Sequence, residues 1–301
     1  MQTRTILGAT LAAQLLLAGA ISLSNFGNDA SRSAEPWLTF ATADVDRIVI
    51  TDASGSAILG KDGDSWQLSE LQQLPANSGR ITTLLDNLAK LTTRWPVAES
   101  ESGRERFEVA DEKFQRHLQL YDGDTLLGDY YFGTSPGFRQ THARRAGEDE
   151  VYALAFNNFD LPIDDNDWLD KSLLKVSDID RIEGEGFELT RSGDDWQLAA
   201  GNEPDLAALD TGKAKSLATA LQNLQVLRVA DSVPAGETRT LTAKAGNNAW
   251  TFRFTKVDST YYVQRLDREQ AFTISSADYD RIASITRGAL LQEPPAATIT
   301  P

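Results

Sequence analysis

The densest group of side chains that could do chemistry is a run of carboxylates. Residues 148–170 hold eight Asp or Glu and no Lys or Arg. A calcium loop needs alternating oxygen ligands, a glycine for its sharp turn and a late glutamate. The triplet Asp165-Asn166-Asp167 is followed directly by Trp168 and Leu169, so this pattern fails. We therefore predict no metal site and interpret the run as a solvated connection in which aspartates cap turns and short helices.

Acid–base catalysis has few other candidates. The chain has no cysteine, and His117 and His142 are its only histidines. Each lies in a predicted strand, and we interpret both as surface residues. Paired carboxylates could hydrolyse a glycosidic bond, but among 44 acidic residues such pairs arise by chance. No nucleophile elbow, phosphate-binding loop or dinucleotide fingerprint is present in the sequence.

Arginines occur at matching points in two similar segments of the chain. Arg145 and Arg265 are 120 residues apart, and Arg144 lies beside the first. A residue that recurs through duplication favours a structural role, such as pairing with a carboxylate of the sheet, over contact with a ligand. We predict the structural role and keep ligand contact as the alternative.

An aromatic group surrounds Gly133. If the segment forms a hairpin with an exposed tip, these side chains could contact a partner or a glycan. Strand alternation predicts that half of them belong to the core instead. The four aromatic residues are Tyr130, Tyr131, Phe132 and Phe138.

The elements that must position these residues occur twice. Residues 45–68 and 179–198 each predict two strands, a tight turn with a glycine, and a third strand that carries a tryptophan, Trp66 or Trp196. We interpret each tryptophan as an apolar cover over the core of its module.

An amphipathic helix follows the tryptophan strand in both copies. Its apolar residues recur at helical spacing over residues 81–91 and 214–227, each time after a capping residue. Alternating patterns then predict antiparallel strands in both copies. In the second copy a closing helix is expected from Ser275 to Leu290.

The charge balance excludes one class of partner. The net charge is -15 and the pI is about 4.6, which opposes capture of nucleic acid or of an anionic membrane surface. We therefore predict no nucleic-acid partner. The absence of cysteine removes disulfides and thiolate metal sites, and it is compatible with an oxidising compartment.

The amino-terminal region predicts a membrane anchor. Residues 6–23 form a run of eighteen residues without a charge. This is about the minimum length of a helix that spans a bilayer. Arg4 favours a cytoplasmic amino terminus, so the chain after the anchor is expected to be exported. The alternative is a cleaved signal peptide with its cleavage site at Ala18-Gly19-Ala20. Residues 24–39 are small and polar and predict a flexible tether.

The ordered segments resemble a known family. The pattern Asp-Arg-Ile, then Asp-Gly-Asp-x-Trp-x-Leu and a helix, is followed by the strand Tyr131-Phe132-Gly133 and by residues 168–174 before the second copy. This order is similar to that of domain-of-unknown-function family 4340. The resemblance implies a membrane-anchored, extracytoplasmic protein associated with ABC transporter components of the gliding-motility type. It brings no catalytic residue.

The fold that we predict is α+β. It consists of two tandem modules, residues 40–172 and 173–292, each a mainly antiparallel sheet with one packed helix. An amino-terminal transmembrane helix precedes them, with residues 1–5 in the cytoplasm, and residues 293–301 form a loose tail.

The predicted function is that of a non-catalytic accessory or scaffold protein. It is expected to sit in the inner membrane by a single pass, in the bilayer through residues 6–23, with its sheets in the periplasm or outside the cell. The expected partners are membrane proteins, with permease components of an ABC-type transporter as the candidates. The alternatives are a module that binds envelope polysaccharide or peptide and, less favoured, a carboxylate-dependent hydrolase. We predict no catalytic, cofactor-binding or metal-binding residue, and no cofactor.

Overall fold

The computed structural model describes Gln14, residues 34–199 and residues 208–292. Several predicted segments lie outside these residues. They are the cytoplasmic residues 1–5, the anchor 6–23 apart from Gln14, most of the tether 24–39, and the tail 293–301. No helix in the described part of the chain is both long enough and apolar enough to cross a bilayer.

Strands dominate the described chain. The strands are β1 (Glu35–Pro36), β2 (Arg47–Thr51), β3 (Ser56–Asp62), β4 (Ser65–Leu68), β5 (Leu74–Pro75), β6 (Thr92–Thr93), β7 (Val109–Ala110), β8 (Lys113–Phe114), β9 (Arg116–Asp122), β10 (Thr125–Phe132), β11 (Thr141–Arg145), β12 (Tyr152–Leu154), β13 (Arg181–Gly184), β14 (Phe187–Ser192), β15 (Asp195–Leu198), β16 (Arg228–Ala230), β17 (Glu237–Ala245), β18 (Asn248–Val257), β19 (Thr260–Arg265) and β20 (Ala271–Ile274). The α-helices are α1 (Ser78–Ala89), α2 (Glu101–Arg106), α3 (Thr211–Gln222) and α4 (Ser276–Ile282). Short 3-10 helices occupy Thr42–Asp44, Asn158–Asp160, Asp165–Asp167 and Gly288–Leu290.

Two eight-stranded antiparallel sheets contain most of these strands. The first has the order β12-β11-β10-β9-β2-β3-β4-β5, and the second has the order β15-β14-β13-β17-β18-β19-β20-β16. Seven strands therefore follow the same path in both sheets, from β4 to β12 in the first and from β15 to β20 in the second. The first sheet adds β5 beside β4, whereas the second adds β16 beside β20. The shared order fits the predicted repeat.

The predicted fold class is wrong. The structure is dominated by two antiparallel sheets with few helices, and the described residues contain no transmembrane helix. The prediction of one packed helix per module also fails, because α2 accompanies α1 and the expected closing helix α4 accompanies α3. The amino termini of α2 and α4 are capped by serine: the Ser100 hydroxyl accepts the Gly103 N–H at 3.2 Å, and the Ser275 hydroxyl accepts the Asp278 N–H at 3.0 Å. Such caps stabilise short helices that have no long amphipathic pattern.

The chain divides into two compact units. Of the described residues from 34 onward, unit 1 comprises 34–61 and 79–163, and unit 2 comprises 62–78, 164–199 and 208–292. The module boundaries predicted above stay predictions, because compactness does not test how a repeat arose.

The core of unit 1 lies on one face of its sheet. Ile48 and Ile50 of β2 face Leu120 and Leu118 of β9 in register, and all four side chains are fully buried. The other face carries a smaller cluster, which determines which aromatic residues are exposed. Burial of each large apolar side chain contributes about 1.5–3 kcal/mol.

The smaller cluster covers the opposite face of β10. Tyr131 packs there with Val109 and Val151, against the partly buried Phe107 and Phe114. Both faces of β10 are therefore covered at its end. Strand alternation predicted that half of the four aromatic residues belong to the core, and three do: Tyr130, Tyr131 and Phe132 are buried, whereas Phe138 is exposed. Burial raises the pKa of Tyr130 to about 12.

The two predicted amphipathic helices are present. Helix α1 buries Ile81, Leu84, Leu85 and Leu88. Helix α3 begins at the Asp210 cap, whose carboxylate accepts backbone N–H groups of the first turn, and it contacts β15 and α4. Both helices are shorter than predicted.

The carboxyl ends of the predicted helices differ from expectation. Leu227 lies beyond the end of α3 and is 47% exposed. The closing helix α4 ends at Ile282, and Leu290 lies in a separate 3-10 helix, where it is buried.

Candidate functional site

The connection between β10 and β11 presents Phe138 to solvent. The Ser135 hydroxyl lies 2.7 Å from the carbonyl oxygens of both Gly137 and Gln140, which closes the loop. Arg139 adopts a left-handed φ of 52°, and its guanidinium lies 5.2 Å from the Phe138 ring centre. Phe138 is 89% exposed. The loop thus holds a large apolar side chain in water.

Gly133 begins this connection and allows two backbone segments to approach closely. A Cβ atom at this position would lie 1.9 Å from the carbonyl oxygen of Phe107 and 2.5 Å from that of Glu108. The Gly133 N–H donates to the His142 carbonyl at 2.9 Å, and the Thr134 N–H donates to the Phe107 carbonyl at 2.9 Å. A side chain at position 133 would therefore displace backbone atoms.

Phe159 is a second exposed aromatic residue of unit 1. It lies in the 3-10 helix after β12, where the Asn157 side chain accepts the Phe159 N–H at 3.1 Å. Phe159 is 82% exposed, whereas Phe156, just before this helix, is buried against Phe132 with ring centres 5.1 Å apart. The cap orients this turn so that one Phe points inward and the other lies in solvent.

Phe138 and Phe159 line the same cleft of unit 1, which we call the Phe cleft. Its volume is about 670 Å³, within the range typical of ligand pockets. Much of its wall is polar and uncharged. The lining residues are Gln115, Arg116, Ser135, Gly137, Phe138, Arg139, Gln140, Thr141, Phe156, Asn157, Asn158 and Phe159.

A second cleft of about 510 Å³ adjoins the first. The two share Arg139, Phe156 and Asn157 in their walls. The second cleft adds the amide of Asn87 and the charges of Lys90 and Asp160, beside Leu91 and Ala155. Together the two clefts are large enough for a ligand of more than one ring.

An ion pair fixes one wall of the Phe cleft. Arg116 Nη1 lies 2.9 Å from Asp52 Oδ2, and Arg116 Nε donates to the Leu161 carbonyl at 2.8 Å. Burial raises the pKa of Asp52, but hydrogen bonds from Ser54 and the charge of Arg116 outweigh this and leave the pKa below its ordinary value. The guanidinium of Arg116 is thus held in place by its own partners.

The two histidines lie on strands, His142 buried and His117 partly exposed. His142 is buried; its ring stacks on Phe107 with centres 4.0 Å apart, and its Nδ1 lies 2.9 Å from Thr134 Oγ1. His117 Nε2 lies 2.5 Å from Asp129 Oδ1, with its ring stacked on that of Tyr131. The surface interpretation is therefore wrong for His142, and neither histidine lines the Phe cleft.

Burial lowers the pKa of His142, and it is the largest effect on this side chain. The positive charge of Arg106 acts in the same direction, whereas a hydrogen bond with Thr134 opposes both. The buried imidazole is therefore harder to protonate than a histidine in water.

Arg145 and Arg265 occupy equivalent register positions and have different partners. Arg145 donates to the Trp37 carbonyl at 2.9 Å, stacks on the Trp37 ring at 4.5 Å and pairs with Glu148 at 3.2 Å. Arg265 pairs with Asp267, with Nε–Oδ1 and Nη2–Oδ2 distances of 2.7 and 3.0 Å. These contacts agree with a structural role, although the partners are backbone and loop groups and not carboxylates of the sheet.

Arg144 also has structural partners. Its side chain is buried, its Nε donates to the Val109 carbonyl at 2.6 Å, and its guanidinium lies over the Tyr131 ring at 4.8 Å. It forms a salt bridge with Asp111. Arg144 thus fastens the β7–β8 hairpin to the sheet of unit 1.

The acidic run forms turns and caps. Asp164 accepts the Asn166 N–H at 3.0 Å and pairs with Arg228 at 2.7 Å, while Asp170 accepts the Ser172 N–H at 2.9 Å. This agrees with the interpretation of these aspartates as caps. Across the residues that the structure describes, no three His, Cys, Asp or Glu side chains converge as a metal site would require.

A second surface feature recurs in both units. Ala98 bridges to Val151, and Ala230 pairs with Ala271 at the matching point of the second sheet. Three residues before each alanine stands a large apolar side chain, Trp95 in unit 1 and Leu227 in unit 2. They are 45% and 47% exposed. The two units therefore expose an apolar residue at the same point of their topology.

A comparison with protein families identifies the group to which this architecture belongs. Residues 66–246 match the family described as "Domain of unknown function (DUF4340)". The match covers more than half of the chain and includes the tryptophan strands β4 and β15. The chain belongs to this family. The resemblance seen in the sequence is thereby confirmed.

The DUF4340 chain is also similar to one curated protein. It is 31% identical over 96 residues to "Uncharacterized lipoprotein YedD" of Escherichia coli (strain K12), and the alignment covers 31% of this chain and 70% of that protein. No solved structure matches this DUF4340 protein.

Most of the Phe cleft of this DUF4340 member was not predicted from the sequence. Phe138 was recognised as a candidate for exposure, whereas Phe159 and the amides of Gln115, Asn157 and Asn158 were not. One available signal was the Asn157-Asn158-Phe159 triplet, because consecutive asparagines favour turns and turns expose the next side chain.

Proposed function

We propose that this DUF4340 protein is a non-catalytic, envelope-associated accessory protein that contacts a membrane-protein partner. The partner class that we favour is a permease of an ABC-type transporter. The observation that carries the proposal is the exposure of Trp95 and Leu227 at the same point of both units. Large exposed apolar side chains are enriched where proteins contact each other.

An envelope location is supported by the relative and by the sequence. YedD is described as a lipoprotein, and residues 6–23 predict an anchor. We propose a single-pass location in the inner membrane with both sheets outside the cytoplasm. The non-catalytic role is part of this proposal. Arg144 and Arg145, which were considered for ligand contact, instead donate to backbone carbonyls of unit 1.

The experiment is site-specific photo-crosslinking of the full chain in intact cells. A crosslinking amino acid replaces Trp95 or Leu227, and Leu126 is the control because it is 46% exposed and lies elsewhere in the fold. We expect a discrete adduct with one membrane protein from positions 95 and 227 and none from 126. Equal labelling at all three positions, or no adduct with a membrane protein, contradicts the proposal.

A second candidate function is binding of an envelope polysaccharide or peptide. The Phe cleft favours it, because a cleft lined by amides and rimmed by exposed aromatic rings is equipped to bind a ligand.

A further inference from the structure

The amides of the Phe cleft match a ligand that is rich in hydroxyl groups. Gln115, Gln140, Asn157 and Asn158 line it. Gln115 and Asn158 are bonded to each other and to neighbouring groups. The amides that face a ligand are therefore those of Gln140 and Asn157, and each can donate and accept hydrogen bonds. A hydroxyl group also donates and accepts, so neighbouring hydroxyls on a ring can satisfy an amide at both ends. No carboxylate and no histidine is among the lining residues that the structure describes for this cleft.

One amide has an unused acceptor. Asn158 Nδ2 donates to Gln115 Oε1 at 2.9 Å and to the Gly133 carbonyl at 2.8 Å, which fixes the orientation of the side chain. Asn158 Oδ1 is buried and accepts no hydrogen bond from the described residues. A buried acceptor without a donor is costly, and a ligand hydroxyl reaches this atom only if the Asn158 side chain shifts.

The rim supplies flat apolar surface. Phe138 and Phe159 are 89% and 82% exposed, and both line the cleft. A pyranose ring presents its C–H groups on one face and its hydroxyls around its edge. The rings of Phe138 and Phe159 can therefore cover the apolar face of a sugar while the amides bond to its edge.

Two cations of the second cleft indicate a charged substituent on the ligand, and one of them, Arg139, also lines the Phe cleft. Lys90 and Arg139 form no salt bridge with any described carboxylate, although the chain carries a net charge of -15. Asp160 in the same wall offsets only one of them. Two cations without a carboxylate partner, in so acidic a protein, favour an anionic group of the ligand at this point.

We propose that the Phe cleft binds a carboxylate-bearing glycan. The sugar rings lie on Phe138 and Phe159, the amides of Gln140 and Asn157 bond to hydroxyls, and Arg139 with Lys90 of the adjoining second cleft binds the carboxylate. This site goes beyond the proposed contact with a membrane protein, and it uses different residues.

The test is a binding titration of the full chain in detergent. The probe is peptide-free peptidoglycan strands, which carry a carboxylate on alternate sugars, and neutral dextran is the control glycan. The variants are Phe138→Ala, Phe159→Ala and Arg139→Asn, since asparagine tolerates the left-handed φ of residue 139. Leu126→Ala and Lys113→Gln are the matched controls, because both residues are exposed in unit 1 and outside the clefts.

We expect the wild-type chain to bind the strands and to bind dextran at least about tenfold more weakly. Each cleft variant should raise the dissociation constant by about tenfold, which corresponds to the loss of one good contact. The control variants should bind as the wild-type chain does. All substituted side chains are exposed, so retained thermal stability distinguishes lost contact from lost fold.

Three results overturn this inference. They are no binding to the strands, equal binding to dextran, and equal binding by all variants. Crosslinking from positions 95 and 227 should persist in the Phe138→Ala and Phe159→Ala variants. If glycan binding is present while those crosslinks are absent, the proposed accessory function fails and the glycan site stands. If the crosslinks are present while glycan binding is absent, the glycan site fails and the proposed accessory function stands.

Discussion

The end of β12 in unit 1 and the end of β20 in unit 2 occupy the same point of a shared topology and look different. After β20 comes α4, in which Tyr279 is 3% exposed and packs on Phe254 and Tyr261. After β12 comes only a 3-10 helix, and its Phe159 is 82% exposed. One aromatic side chain completes a core, and its counterpart is left beside a cleft.

The preceding hairpins differ in the same way. Strands β18 and β19 are joined by the tight turn Asp258-Ser259, whereas β10 and β11 are joined by residues 133–140, which carry Phe138. A two-residue turn leaves no room for a projecting loop. The Phe cleft of unit 1 therefore results from a longer connection and a shorter helix. The strand order itself is unchanged.

The largest effect on stability is expected from the two equivalent aromatic residues, Tyr279 in unit 2 and Phe159 in unit 1. Tyr279→Ala should lower the free energy of unfolding by about 3–5 kcal/mol, because it removes a buried ring from the core of unit 2. Phe159→Ala should change it by less than about 0.5 kcal/mol, because this ring is exposed. Urea denaturation of both variants measures the contrast. Similar losses in the two variants would contradict the difference between the units.

Glycine substitutions test the longer connection. Gly133→Ala should destabilise the protein by about 2–3 kcal/mol, since its Cβ would lie 1.9 Å from the Phe107 carbonyl oxygen. Gly137→Ala is the matched control in the same loop, where a Cβ meets nothing within 4 Å. Thermal unfolding should separate the two variants clearly. Equal melting temperatures would show that the close approach at Gly133 does not exist in solution.

The pH dependence of unit 1 should depend on His142. Its pKa is lowered in the native state, so below about pH 6.5 the unfolded chain binds the proton more readily. Stability should therefore fall as the pH is lowered from the ordinary histidine pKa toward the native one. His142→Asn should reduce this slope in denaturation curves recorded at several pH values. An unchanged slope would mean that His142 is not buried in its neutral form.

The equivalent arginines give the smallest predicted effect. A hydrogen bond from Arg265 is the largest cause that lowers the pKa of Asp267, and the charge of Arg265 acts in the same direction. The pair therefore stabilises the protein at pH values above the ordinary aspartate pKa. This stability is lost as the pH falls through the lowered pKa that Asp267 has in the folded protein. Asp267→Asn should cost about 0.5 kcal/mol near neutral pH, because the pair is partly exposed. Glu148→Gln in unit 1 should cost no more, since Arg145 keeps its bonds to the Trp37 backbone.

Several elements could be predicted from the sequence because they depend on local pattern. Helical spacing of leucines predicted α1 and α3, and turn glycines predicted the hairpins that contain Trp66 and Trp196. The capped helix α2 was not predicted, because a six-residue helix carries no amphipathic period. The burial of His142 and Tyr131 was not predicted either, because it depends on a β7–β8 hairpin that covers the second face of the sheet.

Sequence alone determined the repeated order of strands, the amphipathic helices and the family. Each of these follows from residue periodicity or from the order of short segments, which a linear pattern records directly. Only the tertiary structure decided that Phe138 and Phe159 share one cleft, because they lie on separate connections and meet through the pairing of β10, β11 and β12. It also decided that Tyr279 is buried and Phe159 is exposed, since burial depends on what packs over a side chain and both residues are aromatic.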